Sequence, residues 1–300
     1  TNMTDITRIQ PVPGGGVVVV GTTLTNSKVR AQQCHLGKSG AQLWQTALAA
    51  YSSCKKGCTA RGASVAVTAD LAVHIAARVL GDKPGSRLMR KKLNGTTQWV
   101  RDVAQADVDW DVHTVISDQF AAAVYVGAMT KNSVQHGFIG RHDVAGKQSW
   151  RVVHDGASGC QGACSLDAVV ETDTGYVAVG VSRPNTAVHS AWVVGTAATG
   201  KRLWHWLPAK LDMSVATSIV KGPLGSVTVI GDRLVAGTWH PISRILSQGQ
   251  LLNERTHMSL QMRSTRGLAL RLADGSTVIG GSSPPPPKVT TGTWRPAVLR

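Results

Sequence analysis

Phenylalanine and tyrosine are almost missing from this 300-residue chain, at 2 and 3 residues. Acid is scarce as well: Asp+Glu is 17 against Lys+Arg 32, a formal net charge of +15. Charged residues in all reach 16%, where a soluble domain usually carries about 25%. No apolar run approaches the roughly 18 residues of a membrane-crossing helix. The longest, Val17–Val20, is strand-sized, so no transmembrane span is expected. Sustained 3.6-residue periodicity with caps is absent, which excludes a helical bundle. Also missing are H-E-x-x-H, a phosphate-binding G-x-x-x-x-G-K-[ST] and G-x-S-x-G, so none of these supplies a catalytic or cofactor site. A charged-then-apolar targeting segment is not visible from Thr1 onward, which leaves open a secretion signal already removed.

What is present is glycine, 32 residues, and tryptophan, 9. The hydrophobic fraction of 42% is enough for packed cores and excludes a wholly disordered chain. Glycine, three residues, then tryptophan recurs at Gly40–Trp44, Gly95–Trp99, Gly146–Trp150 and Gly200–Trp204. Gly249–Asn253 keeps the spacing without the tryptophan. A second motif, a turn followed by small and β-branched residues and then Gly or Ala, runs in phase with it. It ends at Gly21, near Ala76, and at Gly127, Gly180, Gly231 and Gly280. Two motifs sharing one period near 52 residues define an internal repeat.

Each copy divides into four strands: a short alternating run, the Val-rich run, a third strand centred on Phe138, Trp192, Trp239 or Trp294, and the Trp-bearing strand after the glycine turn. Turn glycines supply positive φ without a Cβ clash. Unbroken small and β-branched runs suit strands buried on both faces. Four-stranded units of this length, repeated six times, predict an all-β, six-bladed β-propeller of about 52 residues per blade. It forms a single domain over 1–300, with blades near 5–60, 61–111, 112–165, 166–214, 215–263 and 264–300. Trp44, Trp99, Trp150 and Trp204 are then expected as wedges between blades, the competing reading being a stacking platform for a sugar or base. Blade 6 lacks its own outer strand in this reading. An exposed edge invites strand addition from a neighbouring chain.

Blade 4 carries Asp173, Gly175, Tyr176, Gly180, Trp192, Gly200 and Trp204. In these residues it resembles secreted bacterial and archaeal propellers built from a loose DGGYxxxG…W…D..G…W repeat. The other blades are degenerate copies; blade 2 has lost the turn glycine and blade 5 the last tryptophan. The resemblance implies an exported, mostly non-catalytic scaffold or binding module, with no universal active site and no cofactor.

Five cysteines include two C-x-x-x-C pairs, Cys54/Cys58 and Cys160/Cys164, each beginning ten residues after a repeat tryptophan. Equivalent placement points to a disulfide in each loop, worth about 2 kcal/mol in the chain-entropy model, and so to the periplasm or the cell exterior. A zinc site would need ligands to converge from alternate blades. Haem attachment would need C-x-x-C-H. Cys34 has no sequence partner and is expected as a small buried hydrophobe.

The densest acidic feature is Asp107, Asp109 and Asp111, followed by His113. It is expected in a solvated connection, with Ca²⁺ binding and acid–base work as the competing uses. The ten histidines share no repeat position, and no metal site is expected. Pro284–Pro287 is expected as a stiff surface loop. The densest basic stretch, Lys83, Arg87, Arg90, Lys91, Lys92 and Arg101, is the candidate binding surface. A strongly basic protein implies an acidic neighbour, and the leading expectation is a non-catalytic scaffold or binding subunit for an acidic protein surface within a larger assembly. The alternative is an enzyme at the channel mouth, a glycan or small-molecule hydrolase or lyase. Nucleic acid ranks third, because the positive charge is scattered and the compartment argues against it.

Overall fold

The computed structural model describes residues 3–25, 28–48, 59–81, 84–105, 107–185, 187–209, 213–258, 263–271, 277–283 and 295–299. The chain divides into two compact units, Thr1–Arg151 and Val152–Arg300. No helix among the described residues is long and apolar enough to cross a membrane.

The first unit holds three antiparallel sheets, each a four-stranded meander in chain order. They are β1 (Asp5–Pro11), β2 (Val17–Thr25), β3 (Lys28–Leu36) and β4 (Gln42–Leu48); then β5 (Thr59–Val67), β6 (Ala72–Leu80), β7 (Gly85–Lys92) and β8 (Thr97–Val103); then β9 (Asp109–Ser117), β10 (Ala123–Lys131), β11 (Val134–His142) and β12 (Gln148–His154). The last residues of β12 belong to the second unit. That unit holds β13 (Ala163–Thr172), β14 (Gly175–Arg183), β15 (Ser190–Ala197) and β16 (Arg202–Trp206); then β17 (Ser214–Lys221), β18 (Val227–Val235), β19 (Thr238–Ser247) and β20 (Gln250–Thr256). Its third sheet contains β21 (Arg263–Arg271), β22 (Thr277–Ser283) and β23 (Arg295–Leu299) among the described residues. Trp294 and Pro284–Pro287 lie outside them.

Strands β5, β9 and β13 open on half-buried residues, Thr59, Asp109 and Ala163. Asp109 and Asp111 thus sit on a strand rather than in the expected solvated connection. The second strands are the core: β10 and β14 are buried along nearly their whole length, whereas β20 is mostly exposed. In the first unit Val18, Val20, Val65, Val73, Ile75 and Met89 form one cluster across two sheets, with Trp44 against it. In the second, Val177, Val179, Val193, Val229 and Leu246 do the same, with Trp204 and Trp206 against them.

The repeat motif interlocks from copy to copy. Trp44 packs over Gly95, where an added Cβ would lie 2.9 Å from its indole, and Trp99 packs over Gly146, where the gap would be 2.8 Å. Trp204 covers Gly249 in the same way, at 3.2 Å. Each of these glycines also has positive φ, +89°, +79° and +81°. The glycine that turns one hairpin is therefore also the seat for the preceding copy's tryptophan.

The glycine closing the Val-rich motif has a different cause. At Gly21, Gly127, Gly180 and Gly231 an added Cβ would lie 1.8–2.1 Å from the carbonyl oxygen of Asp5, Asp111, Ser165 or Val215 on the first strand. At this same point that strand bulges, leaving Thr7, His113, Asp167 and Thr217 as extra residues. In the second sheet the roles are exchanged: Ala77 faces Gly62, and Ala63 is the extra residue. A bulge brings the two backbones too close for a side chain.

The turn glycine lost from the second copy leaves Leu71 at φ +58° and 48% exposed. Left-handed backbone costs a residue with Cβ about 1–2 kcal/mol. Leu71→Gly should therefore raise the stability by about 0.5–1 kcal/mol, after the greater entropy loss of glycine. Gly95→Ala should cost about 2–4 kcal/mol, combining backbone strain with overpacking against Trp44. Urea unfolding of the two variants beside the parent measures both, and a Gly95→Ala loss below 1 kcal/mol would contradict the interlock.

Candidate interaction surface

In a four-stranded meander the first and third hairpins open at the same end of the sheet. In the first unit this turn end is where consecutive sheets are bonded together. Trp44 Nε1 donates to the Leu93 carbonyl at 2.6 Å, and Trp99 Nε1 to the Val144 carbonyl at 3.0 Å. Arg101 Nε donates to the Gly146 carbonyl at 2.8 Å. Arg90 Nη1 and His74 Nε2 both donate to the Ala121 carbonyl, at 2.6 and 3.0 Å.

The expected basic surface therefore separates. Arg90 is 1% and Lys91 2% exposed, and neither belongs to a surface. Arg90 is satisfied by Asp70, Gln98 and the Ala121 carbonyl. Lys91 lies over the Trp44 ring, 5.5 Å from its centroid, and donates to Thr46 at 3.2 Å. A buried cation needs such partners because desolvation otherwise outweighs the pairing. Arg87 is paired to Asp102 at 2.8 Å, and Lys92 and Arg101 remain exposed. Lys83 lies outside the described residues.

The pattern behind Arg90 recurs. Arg90, Arg141 and Arg244 each stand five residues before the repeat glycine, and each binds a carboxylate: Asp70, Asp118 or Glu254. That register, visible in the sequence, distinguishes structural arginines from surface ones. Two arginines, Arg233 and Arg244, grip Glu254, and their hydrogen bonds and charge outweigh burial and hold its carboxyl below the usual range. For Asp70, burial is likewise outweighed, by Thr68 and Arg90. Asp109 receives both guanidinium nitrogens of Arg78 at 2.5 Å, and Asp111 lies 3.5 Å from Arg78 and 3.6 Å from His113. The Arg78 guanidinium thus supplies the positive charge beside Asp109 and Asp111. No group of three or more metal-ligating side chains occurs among the described residues.

Three histidines are buried in neutral form. Burial, then Arg90, brings His74 down to about 4. Burial, then Arg151 and Arg101, does the same for His142, and burial with Arg202 for His154. His74 and His142 flank Trp99, with ring centroids 5.7 and 6.3 Å away.

Cys160 and Cys164 form a disulfide, with Cα atoms 5.8 Å apart. The adjoining loop is fastened to the sheet β13–β16. Ser158 accepts Trp192 Nε1 at its carbonyl, 3.0 Å, and Arg202 at its hydroxyl, 2.6 Å. Cys54 and Cys58 lie outside the described residues, and Cys34 is a buried free thiol.

Solved structures share this arrangement of sheets. An unknown-function protein from Dyadobacter fermentans DSM 18053 matches over 99% of this chain and 94% of its own, with a TM-score of 0.59 and 12% identity. The β-propeller domain of the trilobed protease from Pyrococcus furiosus, described as having an open velcro topology, matches over 100% and 82%, with a TM-score of 0.55 and 10% identity. The chain has a β-propeller fold. Prolyl oligopeptidase B from Galerina marginata matches over 98% of this chain but 42% of its own, with a TM-score of 0.52 and 9% identity. No protein-family model and no curated protein sequence matches the chain.

Arg90→Ala should cost about 1–3 kcal/mol, because it removes a buried side chain and its hydrogen bonds to Asp70, Gln98 and the Ala121 carbonyl, whereas Lys92→Ala should stay within about 0.5 kcal/mol; equal losses would contradict the division of the basic stretch. Acid should also destabilise the propeller before its carboxylates titrate. His74, His142 and His154 each bind a proton near pH 6.5 when unfolded but at about 4 when folded. The unfolded state thus binds more protons in this window, and stability falls as pH drops from 6.5 towards 4, by on the order of 3 kcal/mol per histidine. Denaturant midpoints at pH 7, 5.5 and 4.5 measure it, and His74→Gln should flatten the slope.

Proposed function

We propose that this chain is an exported six-bladed propeller, a single domain over residues 1–300, acting as a non-catalytic binding subunit for an acidic protein partner. The sheet count supports six blades: five four-stranded sheets, and a sixth with three strands among the described residues. The disulfide supports the periplasm or the cell exterior.

The observation that carries the reading is how the scarce acid is used. Asp70, Asp102, Asp109, Asp118 and Glu254 are each bound by an arginine of the chain itself. The carboxylates thereby neutralise internal or edge arginines, while the chain as a whole keeps its +15. Such a surface attracts acidic partners and speeds their encounter at low salt. The same pairing weighs against the channel-mouth enzyme, which would need carboxylates available to a substrate.

Retention on immobilised polyglutamate should be strong at 50 mM salt and fall steeply by 300 mM, as screening shortens the reach of the charge. Absence of retention at 50 mM salt would overturn the acidic-partner reading.

A further inference from the structure

At the turn end of the first unit, two kinds of exposed side chain are suited to binding. Three apolar ones stand on neighbouring hairpins: Leu71 between β5 and β6, 48% exposed; Phe120 between β9 and β10, 67%; and Val144 between β11 and β12, 52%. Phe120 is one of two phenylalanines in the chain, and the other, Phe138, is fully buried. Three lysines, Lys38, Lys92 and Lys147, are exposed at the third hairpins of the unit's three sheets.

The acids at this end are engaged by ion pairs or turn amides. Asp70, with its side chain 52% exposed, is bound to Arg90. Asp118 is bound to Arg141 and to the amides of Phe120 and Ala122. Asp143 accepts from the amides of Ala145 and Lys147. The outward character of this end is therefore apolar and positive.

The hairpins are also strained and over-determined. Leu71 and Ala121 both adopt left-handed backbone, φ +58° and +57°, without being glycine. Thr68 ties the first turn through Ala72, and Asp118 ties the second, while Arg90 and His74 bond the Ala121 carbonyl from the neighbouring sheet. Non-glycine residues in this conformation persist only where the surroundings fix them, and they cluster at sites that clamp a ligand. Here the strain holds Leu71 and Phe120 out into solvent on rigid tips. Rigid display of apolar anchors lowers the ordering cost of binding, and a buried aromatic anchor ringed by charge is how interface energy is concentrated.

We infer that the turn end of the first unit is a docking face for an acidic polypeptide segment carrying bulky apolar side chains. Leu71, Phe120 and Val144 receive the apolar groups, and Lys38, Lys92 and Lys147 pair with the carboxylates. The inference rests on the acidic-partner reading above and gives that partner an address and a second chemical requirement. Charge complementarity selects acid, and the apolar tips select a peptide over a uniformly charged polymer.

The test uses the whole chain and three probes of equal length: a synthetic peptide of Glu-Glu-Leu repeats, polyglutamate, and single-stranded DNA. The parent protein should bind the leucine-bearing peptide at least fivefold more tightly than polyglutamate. The Lys92→Glu/Lys147→Glu pair should weaken that binding at least tenfold, and Phe120→Ser at least threefold. Phe120 is largely exposed, so its replacement leaves the core intact, and unfolding midpoints confirm this. Lys131→Glu, at the opposite end of β10, should change binding less than twofold. If the parent binds acidic probes but the turn-end variants match Lys131→Glu, the docking face is overturned while the acidic-partner reading stands. If no acidic probe binds, both fall. If DNA binds as tightly as the leucine-bearing peptide, or polyglutamate does, the apolar requirement is overturned.

Discussion

The contact on which this propeller depends is a tryptophan ring laid on a glycine one repeat further along the chain. The indole reaches out of the fourth strand of one sheet, covers the hairpin glycine of the next, and in two copies hydrogen-bonds the carbonyl two residues before that glycine. Van der Waals contact, a polar anchor and a backbone turn meet at one spot. Any side chain on the glycine would displace the ring, and the same glycine needs positive φ. Two demands on one position account for its persistence where the residues between are free to vary.

Around this contact the sheets grade from a dry interior to a wet rim. The second strands, rich in small and β-branched residues, are buried along nearly their whole length, while the outer strands are mostly exposed. The turn end adds a polar layer to the same seams. Arg90, His74 and Arg101 each cross from one sheet to a carbonyl of the next. The neutral histidines beside Trp99 make the seam sensitive to acid, since charging them would place a cation in a buried site near arginines.

Much of this was legible from residue order, and the reasons can be stated residue by residue. The repeat shows because Gly40, Gly95, Gly146 and Gly200 all need positive φ, and Trp44, Trp99 and Trp204 each fill a seat on a glycine. The bulge did not show, because the residue that occupies it is Thr7, Ala63, His113, Asp167 or Thr217; a bulge is a property of backbone spacing and accepts almost any side chain. Its trace was the glycine on the partner strand, which reads as a strand terminator until the nearby carbonyl is seen. The basic stretch misled for a different reason. Lys92 and Arg90 look alike in sequence, and what buries Arg90 is a carboxylate 20 positions earlier together with a carbonyl from the following sheet.

The forward direction of the tryptophan–glycine contact sets an order in time. Trp44 can find its seat only when Gly95 has been made, 51 residues later, and Trp99 must wait 47 residues for Gly146. As the chain emerges from the ribosome or is threaded across a membrane, each sheet can pair its own strands at once, but each seam closes one repeat behind the growing end. At these seams the most recently made sheet is the one with an uncovered indole, and closure proceeds as a ratchet with a single open tooth.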